Sequence, residues 1–115
     1  MSFSQIYSQG KKIVSLEFFP PKSPEQMDGT LQTIQRLSEL KPDFMTVTYG
    51  AGGGTRELTL QILTFINEQF DIPAVAHLTC VGHSESELTR IVEKLFDNGI
   101  RYILALRGDP PHGQG

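Results

Sequence analysis

The sequence predicts an α/β fold, about the first four strands and three helices of a (β/α)8 TIM barrel. Three observations point there. Four short β-like runs alternate with three helical ones, the pattern of a parallel sheet joined by crossover helices. The strand ends Glu17, Thr48, Thr79 and Asp109 recur at intervals of about 30 residues, the length of one βα unit. One side-chain parity also gathers polar groups: Ser15 and Glu17, Thr46 and Thr48, His77 and Thr79, and Ala105 and Arg107. A doubly wound sheet, covered on both faces, calls for apolar residues at both parities. A barrel accepts polar residues inside, near the mouth where its active site sits. A complete barrel needs roughly 250 residues, so residues 1–115 are expected as an N-terminal half with no second domain.

Each element has its own signal. The first strand, IVSLEFF (13–19), is stopped by Pro20-Pro21. Ser23-Pro24-Glu25-Gln26 then announces a helix, with Ser as cap, Pro at the first helical position and Gln to complete a capping box. Its apolar stripe is Met27, Leu31, Ile34 and Leu37. DFMTVTY (43–49) forms the second strand, and a helix from about Arg56 to Gln69, capped by Thr55, buries Leu58, Ile62, Phe65 and Ile66. AVAHLTC (74–80) is the third strand. The capping box Ser84–Glu87 opens a helix carrying Leu88, Ile91, Val92, Leu95 and Phe96, which ends at Asn98-Gly99. YILALRG (102–108) is the fourth strand.

Composition narrows the partners. With 38% hydrophobic residues, 20% charged residues and a formal net charge of −3, the chain has no basic excess for nucleic acid or anionic membrane. A small-molecule partner is expected instead. The single cysteine, Cys80, cannot form an internal disulfide, and the polar N-terminus holds no signal-peptide core, which together predict a cytoplasmic protein. The apolar runs are far shorter than the roughly 20 residues of a membrane span.

Four features carry possible chemistry. Gly50, Gly52, Gly53 and Gly54 lie between a strand and a helix, where backbone amides approach a ligand closely or where the chain is merely a connection. The loop matches neither the P-loop nor the G-x-G-x-x-G pattern. His77, Cys80 and His83 have the spacing H-x-x-C-x-x-H, but His77 and Cys80 point to opposite faces of a strand, so no metal site is expected. His77 reads as an inward hydrogen bonder to a ligand or as a core histidine, and His112 carries no clear signal. Asp109, after Arg107-Gly108, projects from a strand end or is a solvated loop residue. Glu17 is the sharpest: burial among Phe18, Phe19 and the prolines would favour its neutral form, as a general acid requires. The alternative is a structural ion pair with Arg107.

SLEFFPPKSPE, PDFMTVTYGAGGGTRE, HLTCVGHSESEL and NGIRYILALRGDPP together resemble methylenetetrahydrofolate reductase, closely its short bacterial form, over residues 13–111. The resemblance implies a flavoprotein barrel of one-carbon metabolism and methionine biosynthesis. Such an enzyme reduces 5,10-methylenetetrahydrofolate to 5-methyltetrahydrofolate with NADH or NADPH, by ping-pong hydride transfer through noncovalent FAD. Folate must open its five-membered ring to accept hydride, which needs a proton on the departing nitrogen; the resemblance makes Glu17 that general acid. It places Thr48, Tyr49, Ala51, His77, Arg107, Gly108 and Asp109 at the cofactor site, and Glu17, Thr48 and Asp109 against substrate. Asp109 near the flavin ring is expected to lower its potential. The whole enzyme is expected to be a homo-oligomer. The 115 residues alone are expected to bind FAD weakly and not to turn over, because two sheet edges stay open. Rival expectations are a phosphate-binding barrel enzyme without flavin, and a non-catalytic half-barrel in which Glu17 and Asp109 have no task.

Overall fold

A computed structural model describes residues 2–48, 53–79 and 84–106. Four strands, β1 (Ser15–Phe18), β2 (Phe44–Val47), β3 (Ala74–Thr79) and β4 (Tyr102–Leu106), form one parallel sheet in the order β1-β2-β3-β4. Helices α2 (Met27–Ser38), α3 (Gly53–Gln69) and α4 (Glu85–Asp97) make the three crossovers. This is the strand order of the first half of a (β/α)8 barrel, with the barrel unclosed. All four strand ends face one side, so the sequence's grouping of strand ends into one site is physically available.

Helices cover one face of the sheet. There Met45, Val47, Ala74 and Ala76 from the strands pack against Met27, Ile34, Leu58, Ile62, Leu63, Ile66 and Leu95, with Leu16, Phe18 and Ile103 at the margin. These are alternate strand residues meeting helix residues at 3.6-residue spacing, so both periodicities close on one core.

A short helix at the N-terminus, α1 (Phe3–Tyr7), was not expected from the sequence. Ser2 caps it and Gln5 completes the box. Its Phe3 and Ile6 pack on Phe44, Val75 and Tyr102, on the opposite face of the sheet at the strands' N-terminal ends. Phe3 meets both Phe44 and Tyr102 edge to face at 5.3 Å. The chain thus plugs the base of the polar face with its own terminus, leaving the strands' C-terminal ends clear. The S-x-x-Q box followed by apolar residues was the missed signal.

Several local expectations are corrected. Ser23 makes no side-chain cap bond, and Gln26 instead accepts from the Lys22 amide at 3.3 Å; Pro24–Gln26 is a single 3-10 turn leading into α2. Thr55 lies within α3 rather than capping it, because the helix reaches back to Gly53. Phe96 is 59% exposed, and Arg101 stacks over its ring at 3.9 Å, so a cation covers what the core does not. The α4 capping box forms as expected, with Ser84 Oγ accepting from the Glu87 amide at 3.2 Å. Gly99 follows α4 at φ +85, a backbone conformation that favours glycine, and a Cβ there would have to displace the Asn67 side-chain amide, 2.9 Å away.

At the base of β1, Asp43 accepts the Val14 amide at 3.0 Å and pairs with Lys11 at 2.9 Å. The Val14 amide bond first, and then Lys11, hold its carboxyl below the usual value of 3.8. A lowered folded value stabilises the fold above the unfolded value and loses that stabilisation as pH falls through the folded one. Urea unfolding between about pH 6 and pH 3 should therefore show a smaller pH-dependent loss in Asp43→Asn than in the parent. An equal loss would assign acid sensitivity to other carboxylates.

Candidate functional site

The sheet register determines which side chains share the face that the crossover helices leave open. Glu17 pairs with Thr46, and Thr46 with Val75. His77 pairs with Leu104 and Thr79 with Leu106. Parallel partners point the same way, so Glu17, Thr46, His77, Thr79, Leu104 and Leu106 lie on one face. Thr48 joins them one residue beyond the Val47–Ala76 pair.

This register corrects the fourth strand. Ala105 pairs with Leu78 and belongs to the opposite face, while Leu104 and Leu106, 42% and 38% exposed, stand beside the histidine and threonine. Grouping Ala105 with Arg107 as the polar side inverted the parity; the guide should have been Ile103, whose place against the helix core fixes its neighbours. The face is therefore amphipathic, with a carboxylate, hydroxyls and an imidazole toward β1–β3 and two leucines on β4.

Thr48 is held at both backbone ends. Its amide donates to Phe18 O at 2.9 Å, and its carbonyl accepts from Thr59 Oγ1 at 3.1 Å. Thr59 is buried in α3, so the helix following the glycine loop ties down the end of β2. Sequence reading missed this supporting residue; a threonine on the buried side of an otherwise apolar stripe is the signal.

Glu17 differs from expectation. Its side chain is 50% exposed and Phe19 is 69% exposed, so no pocket of phenylalanines and prolines encloses the carboxylate. An open face of four strands supplies no cover for it. Arg107, the alternative partner, lies outside the described residues, as do Tyr49, Ala51, Gly108, Asp109, Cys80, His83 and His112. Of the expected site, the structure brings together Glu17, Thr48 and His77.

The neighbour of Glu17 is His77. Nε2 of the imidazole stands 3.5 Å from Glu17 Oε1, and His77 is buried where Glu17 is not. The distance is within ion-pair range, but the nitrogen makes no hydrogen bond. A buried nitrogen without a hydrogen-bond partner costs about 1–3 kcal/mol. That cost is relieved if the half-exposed carboxylate swings toward it or a ligand group arrives beside it.

A concavity of about 320 Å³ lies between α3 and α4, lined by Thr59, Leu63, Ile91, Leu95, Arg90 and Lys94 and reaching Ala76 and His77 of β3. Lys94 is bound to Glu57 at 3.2 Å. Among the described residues no cluster of His, Cys, Asp and Glu could hold a metal, and no helix is long and apolar enough to cross a membrane.

The family model for methylenetetrahydrofolate reductase matches residues 2–115. The chain belongs to the methylenetetrahydrofolate reductase family. It is 46% identical over 107 residues to the 5,10-methylenetetrahydrofolate reductases of Salmonella typhimurium and Escherichia coli, covering 93% of this chain and 36% of each relative. It is 38% identical over 109 residues to methylenetetrahydrofolate reductase (NADH) 1 of Arabidopsis thaliana, covering 95% of this chain and 18% of that protein. The chain thus spans about a third of the length of the bacterial reductases it matches. Glu17, Thr48 and His77 all fall inside the matched residues.

Proposed function

We propose that this methylenetetrahydrofolate reductase segment supplies the general acid and part of the cofactor face of an enzyme that reduces 5,10-methylenetetrahydrofolate to 5-methyltetrahydrofolate. The observation that carries the reading is the contact of Glu17 with His77 on the open, amphipathic face at the strand ends. The electron donor is a reduced nicotinamide, and NADH is the donor in the plant relative's name.

The face fits a large planar cofactor such as FAD. Thr48 and Thr79 bring hydroxyls to one end of the face, the His77 ring lies on the same face with its Nε2 turned to Glu17, and Leu104 and Leu106 offer exposed apolar surface for a ring system. His77 and Thr48 would hold the group, together with Tyr49, Ala51, Arg107, Gly108 and Asp109. When bound, FAD supplies hydride storage between nicotinamide and the folate one-carbon unit. Glu17 gives its proton to the departing folate nitrogen, which opens the five-membered ring. Because Glu17 is half exposed on this sheet, the proton is held by the ligand's own cover, which excludes water once the face is occupied. Solvent access then reloads the carboxyl after release.

The test is purification of an intact reductase containing these strands. Yellow bound flavin and nicotinamide oxidation dependent on methylenetetrahydrofolate are expected. A colourless protein that binds inorganic phosphate through the glycine loop would replace this reading with that of a flavin-free phosphate-binding enzyme.

A further inference from the structure

We infer that His77 is a positioning residue for Glu17: its Nε2–H binds Oε1 of the carboxyl, leaving Oε2 as the oxygen that carries and delivers the proton. The inference rests on the proposed acid role of Glu17, and adds to it the group that aims the acid.

The asymmetry of the pair carries the argument. His77 is buried on β3 and fixed by its strand, whereas Glu17 on β1 has a half-exposed, longer side chain. A carboxylate so exposed samples several rotamers unless something holds one oxygen. Nε2 stands 3.5 Å away without a hydrogen bond. Shortening that by roughly 0.6–0.8 Å gives an N–H···O bond of ordinary length, which becomes charge-assisted once the proton has left Oε2. The movement lies within reach of a Glu rotamer adjustment and needs no change in the sheet.

Among the described residues, Nε2 has few other protein partners. In register with His77 are Leu104 on β4 and, one residue beyond a register pair, Thr48 on β2. Glu17 is the one charged side chain that the four strands place on this face among the described residues; Tyr102, the other titratable group there besides His77, packs at the base against Phe3. On proton transfer, Oε2 loses its proton to the folate nitrogen and the resulting carboxylate keeps the Nε2–H bond to Oε1. The next proton comes from water at the exposed side of Glu17, so the cycle balances without a further reactant.

Gln and Asn substitutions separate this role from simple burial. A glutamine places its amide nitrogen the same number of bonds from Cα as Nε2, whereas an asparagine matches Nδ1. In the intact enzyme, His77→Asn should lower kcat for folate reduction by about ten- to a hundredfold, and His77→Gln should recover most of that loss. Both variants bury an amide at the same site, so their difference reports Nε2 rather than packing. In a Glu17→Gln background, His77→Asn should cost little more, because the two groups act as a unit. Gln no better than Asn, or an Asn cost undiminished in the Glu17→Gln background, would overturn the inference while leaving Glu17 as the acid. Folate reduction surviving Glu17→Gln alone would instead remove the underlying functional reading.

Discussion

Glu17→Gln in the intact reductase lowers methylenetetrahydrofolate reduction by about 10²–10⁴-fold, while nicotinamide oxidation by an artificial electron acceptor continues. Glutamine keeps the length and polarity of the side chain but has no acidic proton. The ring-opening step is therefore lost, and the other half of the reaction, which needs no such proton, is spared. Glu17 is exposed and outside both apolar clusters, so the substitution leaves the fold intact. Separate assays of the two half-reactions read the result. Equal loss of both would mean that Glu17 serves the structure or the cofactor rather than the folate proton.

Ile62→Ala lowers stability by about 2–5 kcal/mol, a large share of the roughly 5–15 kcal/mol that holds a domain together. Ile62 is fully buried and packs in the cluster that joins α2, α3 and α4 to the sheet. Truncation removes apolar contact and leaves a cavity that the sheet, fixed by its hydrogen bonds, fills only in part. Urea denaturation should show the shift, with Ile62→Val losing only about 0.5–1.5 kcal/mol. A valine cost equal to the alanine cost would show that branching, not volume, is what this site requires.

Strands, crossover helices and most of the core were legible in the sequence because period and parity are local. Met45, Val47, Ile34, Ile62 and Ile66 are buried as their spacing predicts. The parity of β4 was not legible, because Ile103, Leu104, Ala105 and Leu106 are all apolar and show no alternation; register with β3 was needed. α1 escaped because five residues barely establish a period. The site was half legible. Residue types drew attention to Glu17 and His77, but sequence could not show that they touch, since 60 positions separate them, nor that the open sheet leaves Glu17 half exposed. The chemistry proposed for the pair rests on the family resemblance, and its geometry on the sheet.

The central claim is that the open face of the sheet, rather than the cleft between α3 and α4, receives cofactor and substrate. Titrating FAD into the labelled chain and following side-chain NMR signals tests this directly. Signals of Thr46, Thr48, Thr79, Leu104 and Leu106 should move, while those of Ile62, Ile91 and Leu95 stay; His77 borders both places and does not discriminate them. Movement confined to Ile91 and Leu95, with Thr46, Thr48, Thr79 and the β4 leucines unmoved, would contradict the account.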